Sequence, residues 1–222
     1  MKVPPPRRKF ELHNFNLIQQ SCEMSRQHAR FFALIGTPGI GKTVGLKHYA
    51  ALNPDSTRYI WVRESMTTKK FLWELARIYG YSPYKGNNEF LTWLARYQAL
   101  SKHKELLIID EGGRFKFRQY SFIHELRDLT MDNMGIIMSA PKYFIDKLQR
   151  WSNRSKEGIP EFQRRLDMVI PLEDLTMDEI KAVCADYGIK DIKTIKSKFL
   201  HTQTIGDLVK GIEEHLFFGK NL

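Results

Sequence analysis

Eight consecutive residues, Gly36-Thr37-Pro38-Gly39-Ile40-Gly41-Lys42-Thr43, set three glycines, a lysine and a threonine at a spacing suited to polyphosphate. Glycine lets the backbone take torsions and close approaches that a β-carbon blocks. Successive N–H groups can then converge on phosphate oxygens at the positive end of the following helix. Lys42 is expected to reach the β- and γ-phosphates, and the Thr43 hydroxyl to ligate Mg²⁺. Val44 completes the nucleotide-contacting set that begins at Gly36. Such a loop carries meaning only between a strand and a helix. The apolar run Phe31–Ile35 precedes it, and Lys42–Leu52 reads as a helix.

A second group lies at Leu106-Leu107-Ile108-Ile109-Asp110-Glu111, an apolar strand ending in two acids. In open α/β folds the carboxyl edge of the sheet is where ligands bind. Asp110 is expected to hold Mg²⁺ through its water shell, and Glu111 to orient and polarise an attacking water. A small-molecule kinase shares the phosphate loop but needs no glutamate to activate water, so the acidic pair favours hydrolysis. Ser139 ends another apolar strand, Ile136-Ile137-Met138, just before Ala140-Pro141. It can sense the γ-phosphate if its strand lies between the loop strand and the Asp110 strand. Otherwise it simply makes a turn before proline.

Five short apolar runs position these groups: Phe31–Ile35, Tyr59–Val62, Leu106–Ile109, Ile136–Met138 and Met168–Ile170. Continuous rather than alternating apolarity marks strands buried on both faces, as in a parallel sheet. Helical stripes lie between them. Phe71, Leu72, Leu75, Ile78 and Tyr79 form one, closed by Gly80; Phe90, Leu91, Leu94, Tyr97 and Gln98 a second; Phe122, Ile123, Leu126 and Leu129 a third. The alternation predicts a three-layer α/β fold. After Pro171 the pattern turns wholly helical. Thr176-Met177-Asp178-Glu179 reads as a capping box opening a helix to about Tyr187, ended by Gly188. A second helix is expected over Asp191–Leu200, and a third along Ile205, Leu208, Val209, Ile212 and Leu216. The expected domains are a basic arm and helix over 1–30, a nucleotide-binding core over 31–172 and a small helical lid over 173–222, packed on the nucleotide side.

Composition narrows the partners. Thirty-five Lys and Arg against 25 Asp and Glu leave a net charge of +10, which favours a polyanion, nucleic acid before membrane. Cys22 and Cys184 are far apart, which implies no disulfide framework and suits a reducing cytoplasm. The histidines show no paired spacing with cysteine, so no metal is expected beyond a nucleotide-bound Mg²⁺. No apolar stretch approaches the ~18 residues of a membrane span. Met1–Lys9 lacks the apolar core of a signal peptide and reads as a basic arm.

In the stretches Phe32–Thr43 with His48-Tyr49-Ala50, Ile108–Glu111, Glu125–Leu129 and Gly135–Pro141, the chain resembles the AAA+ ATPases. Within them it is most similar to the DNA-transposition ATPases of the MuB and TniB type. The resemblance spans roughly residues 12 to 215. It implies a five-stranded parallel sheet with a carboxyl-terminal helical lid, ATP and Mg²⁺ as cofactors, and ATP hydrolysis. It further implies homo-oligomers, as rings or helical filaments on duplex DNA, that recruit or activate a transposase. Phe162-Gln163-Arg164-Arg165-Leu166 resembles the segment that supplies an arginine finger to a neighbouring subunit, with Arg165 foremost, then Arg164, then Arg154. Such a finger contributes ~10³–10⁵ in rate. Arg63–Lys70 resembles the stretch that lines the central pore, so Thr67, Thr68, Lys69 and Lys70 are expected to meet phosphates. Lys116 and Arg118 are further DNA candidates from their basic cluster.

Two departures stand out. Related lids carry an arginine near the start of the last helix, whereas here Thr204-Ile205-Gly206-Asp207-Leu208 has none. Asp110-Glu111-Gly112-Gly113-Arg114 replaces the commoner Asp-Glu-Ala. An alternative class is a helicase-loader or adaptor ATPase. It would dock through Lys2, Arg7, Arg8 and Lys9 or through the tail Leu216–Leu222.

Overall fold

The computed structural model describes residues 10–82 and 86–218. The expected arm before Phe10, Lys85 and the tail beyond Phe218 lie outside them. The described residues form two compact units, one of residues 18–37 and 42–172, the other of residues 10–17, 38–41 and 173–218. No helix among them is long and apolar enough to cross a membrane.

In the larger unit the order is β1 (Phe31–Ile35), α2 (Lys42–Leu52), β2 (Thr57–Trp61), α3 (Thr68–Ile78), α4 (Asn87–Leu100) and β3 (Glu105–Asp110). Then come α5 (Phe117–Thr130), β4 (Met134–Ala140), α6 (Phe144–Asn153), α7 (Ile159–Arg165) and β5 (Met168–Pro171). Helix α1 (His13–His28) precedes β1. All four strand pairings are parallel and the spatial order is β2-β3-β4-β1-β5, the expected α/β architecture. Every residue of β3 and β4 is buried, which accounts for their unbroken apolar runs. Strand β4 lies between β1 and β3, the arrangement on which a role for Ser139 depended.

The strands run longer than their apolar stretches. β2 starts at Thr57 rather than Tyr59, β3 takes in Glu105 and Asp110, and β4 reaches back to Met134. Apolar pattern reports burial, while ladder hydrogen bonds fix the ends. Leu106 N donates to Ser56 O at 2.8 Å, and Glu105 N to Asn133 O at 3.0 Å. Glu105 stays buried because Arg58 pairs with it at 3.3 Å and Gln98 Nε2 donates to it at 2.7 Å. Helix α6 had no counterpart in the sequence pattern. It buries only Phe144 and Leu148, too few anchors to make a visible stripe. Tyr97 and Leu129, placed on apolar stripes, stand exposed.

Aromatic rings fill the core beneath the sheet. Phe162 meets Tyr120 at 4.8 Å and Phe31 at 5.6 Å between centroids, and Phe71 meets Phe115 at 5.3 Å. Arg127, 5% exposed, is a polar strut. It donates to Ala29 O, Met131 O and Met134 O and reaches Asp167 at 3.5 Å, tying α5 to the starts of β1, β4 and β5.

The smaller unit contains α8 (Met177–Asp186), α9 (Ile192–Phe199) and α10 (Ile205–Phe218) around Ile180, Val183, Ile195, Phe199, Leu208 and Ile212. The capping box forms as read: Glu179 N donates to Thr176 Oγ1 at 3.3 Å, and Thr176 N to Glu179 Oε2 at 2.9 Å. The Asp191 side chain caps α9, accepting from Lys193 N at 3.3 Å and Thr194 N at 2.9 Å. The α10 stripe ends early, since Leu216 is 38% exposed.

Candidate functional site

In the larger unit, β1 hands over to the glycine loop at Gly36, whose N–H donates to Ala140 O at the end of β4, 3.2 Å away. Lys42 opens α2 and is only 8% exposed. Its Nζ donates to Gly36 O at 2.7 Å and Thr37 O at 3.0 Å. Burial lowers the Lys42 pKa, opposed by the nearby carboxylates Glu111 and Asp110. Among the described residues Lys42 makes no ion pair, and the Thr37 hydroxyl is buried without a partner. Thr43 follows on the first turn of α2, and Val44 is 53% exposed.

In the smaller unit, Gly39 and Gly41 hold φ of +85° and +103°, where a side chain is strained. A β-carbon on Gly39 would also meet Thr204 Oγ1 at 2.7 Å. Gly206 N donates to Gly39 O at 3.0 Å, and a β-carbon on Gly206 would lie 3.1 Å from Gly39 Cα. The segment Thr204–Leu208, which has no arginine, is therefore packed backbone to backbone against Gly39. Its Thr204 hydroxyl donates to Asp207 Oδ2 at 2.7 Å and accepts from Asp207 N at 3.1 Å. A buried ammonium bonded only to carbonyls fits a nucleoside polyphosphate.

Asp110, the last residue of β3, has no exposed surface. Ser139 Oγ donates to its Oδ1 at 2.5 Å, and the Tyr59 hydroxyl donates to its Oδ2 at 2.6 Å. Glu111 N bonds Asp110 Oδ1 at 3.1 Å and Ser139 Oγ at 2.8 Å. Burial and the carboxylate push the Tyr59 pKa far up, so the phenol keeps its proton and stays a donor. Tyr59 was not singled out from the sequence, where it read only as the first residue of the apolar run Tyr59–Val62. Its strand register, Tyr59 beside Ile108, brings it within reach.

Glu111 adopts φ 61°, ψ 27°, a left-handed conformation uncommon for a non-glycine residue. Its Oε2 accepts from Arg114 Nε at 3.0 Å. The next turn leaves no room for alanine. A β-carbon on Gly112 would lie 2.3 Å from Met138 Cγ, and one on Gly113 2.6 Å from Pro141 Cδ. That is the steric reason for Gly-Gly after the acidic pair. Tyr120 donates to Gly112 O at 3.1 Å, and Lys147 Nζ to Gly113 O at 2.7 Å and Phe115 O at 3.1 Å, so α5 and α6 both clamp this turn.

Arg165 ends α7 and grips Asp128 of α5 with both Nε and Nη2, the latter at 3.1 Å. That contact holds the Asp128 carboxyl below its usual pKa. Arg164 and Arg154 are exposed, and among the described residues none of the three arginines touches Lys42, Asp110 or Glu111. Of the DNA candidates, Thr67 caps α3, its Oγ1 accepting from Lys70 N at 3.2 Å; Lys69, Lys70, Lys116 and Arg118 are exposed.

A family model described as an AAA domain matches residues 25–148, more than half of the chain. No curated protein matches it. Among solved structures, Cdc6p from Pyrobaculum aerophilum superimposes with a TM-score of 0.59 at 20% identity, over 83% of this chain and 51% of that one. The Aeropyrum pernix ORC2 protein, in ADPNP-ADP complexes, gives 0.56 at 17% identity, over 85% and 54%. The chain thus spans about half the length of these structures, and the likeness is one of fold.

Proposed function

The chain belongs to the AAA domain family, and on that premise we propose that it is an ATP hydrolase. It binds ATP and Mg²⁺, coats duplex DNA without sequence preference as a ring or filament, and recruits or activates a transposase. The observation that carries the nucleotide reading is Lys42, a buried ammonium whose Nζ donates to the Gly36 and Thr37 carbonyls and, among the described residues, makes no direct ion pair with the nearby Asp110 and Glu111. Burying a cation that no carboxylate contacts directly is costly, and a triphosphate relieves that cost.

Each residue then has a role in hydrolysis. Gly36 to Val44 wrap the phosphates, with Thr37, Pro38 and Ile40 contributing backbone, and Lys42 turns toward the β- and γ-oxygens. Thr43 and Asp110 would hold the metal, which when bound would neutralise charge developing on the phosphates. Ser139 and Tyr59 orient the Asp110 carboxylate from either side. Glu111 orients the attacking water once it parts from Arg114. Arg165 of one subunit completes the site of the next, so assembly and catalysis are coupled. Residues 31–172 act as the catalytic core, 173–222 as its lid and 1–30 as a basic arm. The free buried thiols Cys22 and Cys184 suit a reducing cytoplasm.

DNA binding is supported by the +10 charge and by Thr67, Thr68, Lys69 and Lys70 at the start of α3. A subunit with two or three phosphate contacts binds weakly, whereas many subunits along a duplex sum to strong, salt-sensitive binding. A second reading, an adaptor that binds a protein, is favoured by Leu216 and Phe217, 38% and 49% exposed on α10. Electron microscopy of the protein with an ATP analogue and duplex DNA, beside Lys42→Ala, tests the first. Ordered assemblies are expected only with the unsubstituted chain. Their absence at low salt, with helicase rather than transposase retrieved by pull-down, supports the second.

A further inference from the structure

We infer that the amino-terminal ends of α3 and α5, together with Lys156, form one composite cationic surface for the phosphodiester backbone of a duplex. This rests on the DNA-binding reading above and extends it to residues beyond α3.

Two basic segments distant in sequence are joined by a single side chain. Gln119, 8% exposed, donates its amide to Met66 O at 3.0 Å, immediately before Thr67. Its Oε1 accepts from Lys116 N at 2.8 Å. The Phe71–Phe115 contact at 5.3 Å stiffens the junction from the core side. The segment leading into α3, which carries Lys69 and Lys70, is thereby joined to the start of α5, which carries Lys116 and Arg118. A third segment joins them, because the Lys156 ammonium lies 5.3 Å and the Arg118 guanidinium 5.6 Å from the centroid of the Phe117 ring.

These five cations are unspent. Among the described residues none pairs with a carboxylate, whereas Arg58, Arg63 and Arg114 each do. Of the acids close by in sequence, Glu64 acts on Lys147, and Glu157 follows Lys156. The aromatic ring at the centre is itself occupied by the two cations and by Trp151 at 6.3 Å, so it offers little face for a base to stack on. The surface therefore suits phosphates rather than bases, and a duplex rather than an unpaired strand.

The test is anisotropy of a labelled duplex and a single strand of equal length, with the full chain and an ATP analogue, across a salt series. The variants are Lys69→Ala with Lys70→Ala; Lys116→Ala, Arg118→Ala and Lys156→Ala together; and each of these last three alone. Each phosphate contact removed is expected to flatten the log–log salt slope by about 0.9 on duplex. The triple variant should then lose about 2.7 in slope per subunit. A fluorescent ATP analogue reports on the same samples whether each variant is folded, and the single variants stand in if the triple one is not. If the α3 pair alone flattens the slope, the inference fails and the DNA reading survives. If no variant flattens it, both fail. Weaker binding at unchanged slope, or tighter binding of single strands, also overturns the inference.

Discussion

Tyr59, on the edge strand β2, donates its hydroxyl proton to Asp110 on β3 across 2.6 Å, while Ser139 on β4 donates to the other carboxylate oxygen at 2.5 Å. The buried carboxylate is thus held from both flanking strands. Removing one donor leaves a buried oxygen unsatisfied, at a cost of about 1–3 kcal/mol. Tyr59→Phe is therefore expected to raise the Mg²⁺ concentration needed for half-maximal binding of a fluorescent ATP analogue several-fold, with metal-free binding little changed. An unchanged Mg²⁺ titration would show that Tyr59 does not tune the metal site.

Glu111 is paired with Arg114 at 3.0 Å, on the surface side of the same turn. Exposed ion pairs contribute about 0.2–1 kcal/mol. Arg114→Ala should free the carboxylate and raise the hydrolysis rate by about 2–5-fold at most. Glu111→Gln should lower it by about 10²–10⁴ while ATP binding persists. Steady-state phosphate release on the three proteins decides. Equal rates for the unsubstituted chain and Glu111→Gln would remove Glu111 from the chemistry.

Gly112 lies against Met138 so closely that a β-carbon would sit 2.3 Å from its Cγ. Gly112→Ala forces the turn away from β4 or pushes Met138 into the core. Overpacking of this kind typically costs about 1–3 kcal/mol. Thermal unfolding should show a lowered midpoint, and Gly112→Ala with Met138→Ala should be less destabilised than the sum of the two single changes, because the clash is gone.

Arg165 is held by Asp128, with His124 Nε2 3.1 Å from the same carboxylate. The folded-state pKa of Asp128 lies below its ordinary value of 3.8. Its contribution to stability is accordingly complete above that value and disappears as pH falls through the depressed one. The difference in melting temperature between the unsubstituted chain and Asp128→Asn should shrink across that acidic window.

The role of Arg165 in a neighbour's site has a mixing test. Arg165→Ala subunits retain their own phosphate loop, and Lys42→Ala subunits retain the arginine. Each is expected to be nearly inactive alone, and a mixture should regain hydrolysis. A mixture as inactive as its components would place the arginine elsewhere.

Much of the fold was legible because it depends on residues contiguous in the chain. Apolar runs marked all five strands, although only β3 and β4 are buried throughout while β5 is part exposed, and Gly80 and the Thr176 capping box marked the ends of α3 and α8. Helix α6 left none, having two buried anchors among polar neighbours. Leu129 and Leu216 followed the helical period yet ended exposed, because period alone does not say where the facing element stops.

The candidate site divides along the same line. A strand, a glycine loop with lysine and threonine, a helix, and an acid pair closing a second strand could be read from spacing alone, because each is a run of neighbours. That Tyr59 and Ser139 flank Asp110, that Gln119 joins α3 to α5, and that Arg165 is tethered to Asp128 required the folded chain. Those pairs are separated by 29 or more residues, and they meet only because the strands stack in the order β2-β3-β4-β1-β5 with the helices laid across them. Strand order and register are set by how the whole core packs, and local sequence carries no record of that choice.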